Sequence, residues 1–174
     1  MKILVLNSTP LIYLAKIGLI DILSKLKAYK ITSSSVKHEV VDRGRAMGAP
    51  EAEALSKLFN EKAITLMQPK DQAFLKGLFT IKGLAVADAE VLALAKEQKG
   101  VAILDDKLAR NTAKVHSIPY AGTAHILIWA IEENLITKKQ AKNSLDEMIA
   151  RGWRCGPEDY AQILKKFDEV ASQK

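Results

Sequence analysis

The start of the chain constrains its fold more than any other stretch. Residues 3–6 form an unbroken apolar run, which is the pattern of a β-strand buried on both faces. The polar residues Asn7, Ser8 and Thr9 follow at once. Pro10 then suits the first position of a helix, with Thr9 as its N-cap. Open α/β proteins build sites from polar groups at the carboxyl ends of their strands. The segment is therefore either a simple turn or one corner of a site.

Short apolar segments and helical patterns alternate along the rest of the chain. Further strands, separated by helices, are predicted over residues 29–31, 63–67, 101–104 and 118–121. This order predicts an α/β fold in three layers (α/β/α), with a central, mostly parallel sheet. Two helices without an intervening strand follow. Residues 1–136 are therefore predicted to form the main domain, and residues 137–174 a helical hairpin packed on it.

Caps and periodicity predict the boundaries of the helices. The main ones are expected over residues 19–27, 36–43, 50–60 and 85–99. Residues 44–50 contain two glycines and are predicted to form a loop. Thr137 and Gln140 have the spacing of a capping box and begin the first helix of the C-terminal hairpin.

The composition limits the class of protein. With 174 residues, 48% hydrophobic and 26% charged, the chain fits one domain or one domain with an appendage. No apolar run reaches membrane-spanning length, and the N-terminus is interpreted as a strand rather than a signal peptide. The single cysteine, Cys155, excludes an intramolecular disulfide and a cysteine-based zinc site, and it fits a reducing cytoplasm.

Most of the positive charge lies early in the chain. The formal net charge is +6, and residues 1–50 hold eight Lys or Arg against three Asp or Glu. A basic surplus beside a candidate site suits a phosphate-bearing substrate. Ordinary solubility is the alternative interpretation, so the charge alone does not establish nucleic-acid binding.

Asp88 is an acid in an almost entirely apolar helix. At about 100° per residue it shares a face with Val91 and Ala95, and this face should be buried. Glu90 lies on the opposite side and is predicted to be solvated. A lone carboxylate on a buried face is costly unless it is paired, protonated or bound to a metal. The alternative is an acid in the first helical turn that the helix dipole stabilises.

Two further acidic positions repeat this theme. Asp105 and Asp106 follow the apolar run at 101–104, and a pair of acids exceeds what an N-cap needs. Glu39 lies on a valine-rich helix, where an ion pair with Arg43 at i+4 is the alternative interpretation. All these oxygen-bearing side chains would converge at one edge of a parallel sheet.

Converging carboxylates predict a cation. Their mutual repulsion raises some pKa values unless a cation neutralises them, and oxygen ligands of this kind select Mg²⁺ or Mn²⁺. With phosphate substrates, such ions acidify an attacking water and stabilise the leaving oxygen. The candidate metal ligands, which are also the candidate catalytic residues, are Asn7, Glu39, Asp88, Asp105 and Asp106.

Several ordered motifs resemble those of a known family. The segments VLNSTPLIYLAK, SVKHEVV, ADAEVLALA and ILDDKLAR, the last followed by IPYAGTAHIL, resemble the motifs of PIN-domain proteins. They are most similar to the VapC-like toxin nucleases and their uncharacterised archaeal and bacterial relatives. Residues 135–167 also resemble the helical tail of one such branch, so the resemblance covers nearly the whole chain.

The resemblance implies an Mg²⁺- or Mn²⁺-dependent ribonuclease, often a homodimer and often held inactive by a small antitoxin protein. It places the first Asp of the family at Asn7, and its second and third acids at Glu39 and Asp88. The fourth acid corresponds to the Asp105–Asp106 pair, with Asp106 slightly favoured. Asn7 is a departure, because an amide oxygen can still bind a metal but brings no negative charge.

Three function hypotheses remain open. The first is a metal-dependent ribonuclease, in which Lys107 and Arg110 either hold the scissile phosphate or lie on a solvated helix face. The second is a PIN-like module that binds RNA or a protein without turnover, because Asn7 removes one charge. A phosphatase is less favoured, since it would need a nucleophilic Asp after the first strand. The expected partners are RNA, a small antitoxin and a second copy of the chain, with no membrane.

Overall fold

A five-stranded parallel sheet forms the centre of the structure, a computed structural model that describes residues 1–172. All four strand pairs are parallel, and the spatial order is β3-β2-β1-β4-β5. The chain therefore builds outwards from β1 to β3 and then crosses back to add β4 and β5 beyond β1. The strands are β1 (Lys2–Leu6), β2 (Ala28–Thr32), β3 (Thr65–Leu66), β4 (Val101–Ile103) and β5 (Tyr120–Ala121).

Helices cover the sheet and extend the chain at its C-terminal end. Helix α1 packs on α5, α7 packs on β1 and β4 with α8 beside it, and α10 and α11 pack on α9. The predicted three-layer α/β fold with a parallel sheet is confirmed. The helices are α1 (Ser8–Lys16), α2 (Ile22–Lys25), α3 (Ser34–Lys37), the π-helical segment π1 (His38–Arg43), α4 (Gly44–Ala46), α5 (Glu51–Asn60), α6 (Gln72–Phe79), α7 (Val86–Glu97), α8 (Lys107–Val115), α9 (Thr123–Glu132), α10 (Lys138–Ala150) and α11 (Pro157–Ser172).

One hydrophobic core runs from the sheet into the C-terminal helices. Residues 4–6 of β1 are almost fully buried, as their unbroken apolar run predicts. Leu145, Met148 and Phe167 of the last two helices are fully buried in the same cluster. The predicted capping box of Thr137 and Gln140 is present at the start of α10. The division into two parts at residue 136 stays a prediction.

Two local predictions are wrong. Only Ile22–Lys25 is helical within the segment 19–27, because residues 19–21 are used in successive turns with i+3 hydrogen bonds. The predicted loop over 44–50 begins instead after Ala46, since Gly44 has helical dihedral angles. Gly48 follows the end of helix α4 and has a φ of +69°, a conformation that glycine adopts readily. Among residues 1–172, no helix combines the length and apolar character needed to cross a membrane.

The strand order determines where a site can form. Strands β1 and β4 are neighbours. The chain continues from β1 towards one edge of the sheet, at β2 and β3, and from β4 towards the other edge, at β5. A crevice opens at the carboxyl ends of two such strands, which is where open α/β sheets bind their ligands. Asn7 follows β1 directly, and Asp105 lies two residues after the end of β4.

Candidate active site

Asn7 joins the first strand to a buried acid. Its backbone is extended, and its Oδ1 accepts a hydrogen bond of 2.8 Å from the Ser8 N–H, so it caps α1. The N-cap is therefore Asn7 and not Thr9, which fits the strong preference for Asn at this position. Asn7 Nδ2 donates a hydrogen bond of 2.5 Å to Oδ1 of Asp88. The Asn7 side chain is buried, so this contact is shielded from solvent.

Asp88 lies in the first turn of α7 and is 8% exposed. Burial raises the pKa of its carboxyl group, and the nearby carboxylates of Asp106 and Glu39 raise the pKa further. The hydrogen bond from Asn7 acts in the opposite direction. The helical pattern predicts this burial correctly. Among the described residues, no cationic side chain contacts Asp88.

Glu39 reaches the same place from the π-helical segment. The Oγ of Ser8 donates a hydrogen bond to Oε2 of Glu39. No ion pair between Glu39 and Arg43 is present in residues 1–172, so the alternative interpretation of Glu39 is not realised. A π-helical turn changes the angular position of its side chains relative to an α-helix, and such turns are frequent at functional sites. An α-helical wheel therefore does not predict the direction of Glu39.

Asp106 and Asp105 differ although they are adjacent. Asp106 is exposed, and its Oδ1 caps α8 by accepting a hydrogen bond of 2.9 Å from the Ala109 N–H. Within the described chain its Oδ2 has no hydrogen-bond partner. Its charge raises the pKa of Asp88, so the two carboxylates are electrostatic neighbours.

Asp105 is surrounded by donors instead. Thr123 donates to it twice, from its N–H at 2.9 Å and from its Oγ1 at 2.5 Å. Trp153 Nε1 donates at 2.9 Å, and the Arg110 guanidinium forms an ion pair with it at 3.1 Å. These contacts tie the end of β4 to α9 and to the connection between α10 and α11. No local sequence pattern indicates the contact with Trp153, because the two residues lie 48 positions apart.

The structure therefore gathers four of the five candidate residues. Hydrogen bonds through Asn7 and Ser8 link Asp88 and Glu39 to the end of β1, and Asp106 lies within electrostatic range of Asp88. Asp105 is directed into its own network. We call Asn7, Glu39, Asp88 and Asp106 the acid group.

Glu90 does not belong to the acid group. Glu90 is half-buried rather than solvated, and its carboxylate accepts a hydrogen bond of 3.3 Å from the Ser35 N–H at the start of α3. It therefore stabilises a helix start and does not replace the charge that Asn7 lacks.

The acid group fits a divalent cation by the type of its donors. Carboxylate and amide oxygens are the ligands that Mg²⁺ and Mn²⁺ prefer, and buried neighbouring carboxylates attract a cation. In the described chain, however, no three His, Cys, Asp or Glu side chains meet closely enough to form a ligand set. The Asn7 amide instead supplies the donor that Asp88 requires. A cation at this place would compete with the Asn7 hydrogen bond.

The basic residues near the site have different roles. Arg110 Nε donates to the Leu104 carbonyl at 2.7 Å, so this side chain is fixed at the end of β4. Lys107 is exposed and has no ion pair within residues 1–172. Of the early basic surplus, Lys30 is buried against the Leu26 carbonyl and Arg45 pairs with Glu53. Those two charges do not serve the site.

Comparison with known proteins adds a family and a similar solved structure. A family model described as a PIN domain matches residues 3–169. The chain is also similar to a solved structure described as a domain of a functionally unknown protein from Methanocaldococcus jannaschii, with 22% identity and a TM-score of 0.48. The match covers 70% of this chain and 91% of that one. No curated protein matches.

Proposed function

The chain belongs to the PIN-domain family, and from this membership we propose that it is a ribonuclease that hydrolyses RNA phosphodiester bonds with Mg²⁺ or Mn²⁺. The observation that carries the proposal is Asp88, a buried carboxyl group whose pKa is raised by burial and by the acids Asp106 and Glu39. A cation that binds beside such a carboxylate stabilises its ionised form. Phosphodiester hydrolysis is a reaction that such a cation assists.

The residues of the acid group would have different roles in metal binding and in orienting the ligands. Asp88, Glu39 and Asp106 would hold the ion once these side chains move closer together than they lie in this structure. The ion supplies an acidified water and neutralises charge on the phosphate when bound. Ser8 orients the Glu39 carboxylate through its hydroxyl hydrogen bond, and Asn7 orients Asp88. Lys107 lies directly after Asp106 and is an exposed cation that would attract the RNA backbone.

Cleavage of a labelled single-stranded RNA tests this proposal. We expect cleavage with Mn²⁺ and none with EDTA. Asp88→Ala should lower the rate at least a hundredfold, since it removes the central carboxylate of the acid group. Glu90→Gln is the matched control on the same helix, because the amide oxygen can still accept the Ser35 hydrogen bond. Equal rates for wild type and Asp88→Ala would contradict the proposal.

The direct hydrogen bond between Asn7 and Asp88 favours a second function. At 2.5 Å the amide of Asn7 already satisfies the acid that a cation would otherwise neutralise. The chain would then be a PIN-domain module that binds RNA or a protein without cleavage.

Asn7→Asp separates the two functions. In this variant two buried carboxylates face each other, which strengthens the attraction for a cation. If Mn²⁺ binding by calorimetry and RNA cleavage appear only in the variant, the natural chain is a binding module. If the wild type already cleaves, Asn7 is compatible with catalysis and the variant should only bind Mn²⁺ more tightly.

The partners and the compartment belong to the same proposal. A homodimer and a small antitoxin protein are what the resemblance to VapC-like nucleases implies, and the single cysteine fits a cytoplasmic location. Light scattering after size-exclusion chromatography would give the oligomeric state. A short reading frame immediately upstream of the gene, whose product binds this chain and suppresses cleavage, would support the toxin role.

A further inference from the structure

A large cavity lies beside the acid group but is not part of it. Its volume is about 840 Å³, within the range of small-molecule and cofactor sites. One wall is formed by α8, β5 and the start of α9, and the other by the segment from Trp153 through most of α11. Asp105 lines this cavity, while the four residues of the acid group do not. Because Asp105 and Asp106 are adjacent, the cavity and the acid group share the carboxyl end of β4.

The cavity carries more positive than negative charge. Five Lys or Arg side chains and three Asp or Glu side chains line it. Within residues 1–172, Lys107, Arg154 and Lys165 have no hydrogen-bond or ion-pair partner. Arg110 and Lys166 are paired with acids of the same cavity. A lining with three unpaired cations favours an anionic ligand.

His125 gives a second indication of the positive field. Burial lowers the pKa of this imidazole, and the charges of Arg110, Lys2 and Lys166 lower it further. The charge of Glu132 opposes them and leaves the pKa lowered. Three of the four charges that act on His125 are positive, so a positive field reaches this side of the cavity in addition to the effect of burial.

Arg110 is fixed in position on the floor of the cavity. Its Nε donates to the Leu104 carbonyl at 2.7 Å, and its Nη2 donates to Asp105 at 3.1 Å. Gly122 allows this placement, because a Cβ there would collide with Nη2. Nη1 makes no hydrogen bond in the described chain. A guanidinium held in this way loses little freedom when it binds an oxyanion.

The walls also offer surfaces for a planar group. Tyr120 is 42% exposed at the start of β5, and Ile128 and Ile163 contribute apolar surface. Exposed aromatic rings stack on nucleic-acid bases, whatever the base. Positive charge and aromatic surface in one cavity match a nucleotide better than a free phosphate.

We propose that this cavity binds one nucleotide of a single-stranded RNA whose next phosphodiester lies at the acid group, an assignment that rests on the proposed ribonuclease function. The phosphate would lie against Arg110, Arg154 and Lys165, and the base against Tyr120. Because the ligand would lie between two walls, we expect an unpaired strand to bind more tightly than a duplex. The C-terminal helices thus form part of the substrate site.

Binding without cleavage tests the assignment. A labelled single-stranded hexanucleotide is titrated in EDTA and followed by fluorescence anisotropy. The double variant Arg154→Gln/Lys165→Gln should weaken binding about tenfold and should reduce the dependence of log K on log salt by about 1.4. Lys114→Gln/Lys139→Gln is the matched control, because it removes two exposed cations outside the cavity. The control should stay within about twofold of wild type. Equal weakening by the two double variants would overturn the assignment.

Two tyrosines of similar exposure test the base contact. Tyr120→Ala should weaken RNA binding about tenfold by removing a stacking surface. Tyr29→Ala removes a ring that is 40% exposed on β2, outside the cavity, and should leave binding unchanged. If neither or both variants weaken binding, Tyr120 is not a stacking surface and the assignment fails. Adenosine monophosphate should compete with the RNA at millimolar concentration, and double-stranded RNA of equal length binding as tightly would overturn the single-strand preference.

The outcomes separate this inference from the proposed function. RNA binding that depends on Arg154, Lys165 and Tyr120, together with no cleavage in Mn²⁺, would support the cavity and refute the ribonuclease. Cleavage whose kcat/KM is unchanged by these substitutions would support the ribonuclease and refute the cavity. Failure of the wild type to bind any RNA, with binding of an acidic protein instead, would refute the nucleotide assignment.

Discussion

Two carboxyl groups at the same edge of the sheet have opposite surroundings. Asp105 accepts hydrogen bonds from Thr123 and Trp153 and forms an ion pair with Arg110. Asp88 is buried beside two other acids, and the side-chain donor that it contacts is the uncharged amide of Asn7. The chain thus neutralises Asp105 itself but leaves Asp88 without a counter-charge. The comparison teaches that the groups around an acid, and not its place after a strand, decide whether its charge is free to bind a ligand.

The comparison makes Asp105 the more important acid for stability. Asp105→Ala should lower the free energy of unfolding by about 3 kcal/mol, because it leaves the Thr123 and Trp153 donors and the Arg110 charge without their acceptor. Urea unfolding followed by the fluorescence of Trp153 and Trp129 measures this loss. Asp106→Ala is the control in the neighbouring position. It removes an N-cap and also the repulsion between Asp106 and Asp88, so we expect a loss of at most about 1 kcal/mol. Equal losses would mean that the Asp105 network does not stabilise the fold.

A smaller loss is expected at Asn7. Asn7→Ala removes the cap of α1, worth about 1 kcal/mol, and a buried donor to Asp88, worth about the same. The total of about 2 kcal/mol should exceed the loss in Asp106→Ala, which removes a cap but no buried donor. If the two variants are equally stable in EDTA, the Asn7–Asp88 contact contributes nothing. Differential scanning calorimetry gives both values.

The smallest effect should have the opposite sign. Burial and neighbouring acids hold the pKa of Asp88 above its ordinary value near 3.8, so the ionised carboxylate destabilises the folded state. Below pH 3.8 the group is protonated in both states, and the penalty develops as the pH rises through the raised pKa. Asp88→Asn should therefore gain stability relative to wild type, in EDTA, as the pH rises from 3.8 through the raised pKa. A constant difference in unfolding free energy across this range would contradict the raised pKa.

Much of the fold was predictable because it depends on local patterns. The apolar runs at residues 3–6 and 101–104 are long enough to indicate buried parallel strands, and the apolar helix around Asp88 indicates a buried helix. Turn-like segments were less predictable. The short α2 and the continuation of the helix through Gly44 depend on how each segment packs, and not on propensity alone.

The members of the candidate site stay a prediction from the sequence, and the contacts between them could not be predicted. Asn7, Glu39, Asp88 and the Asp105–Asp106 pair follow from the resemblance and from the positions of polar residues after strands. The choice between Asp105 and Asp106 depends on which of them meets Thr123 and Trp153, and no pattern within one segment contains that information.

The sequence by itself determined the parallel sheet and the placing of polar residues after its strands, because hydrophobic periodicity and the alternation of strands and helices are properties of the chain in one dimension. The tertiary structure decided which acid is neutralised, that the amide of Asn7 contacts Asp88, and that a charged cavity forms under the C-terminal helices. These are contacts between segments far apart in the chain. Their free energies depend on distance and burial, which exist only once the segments have packed together.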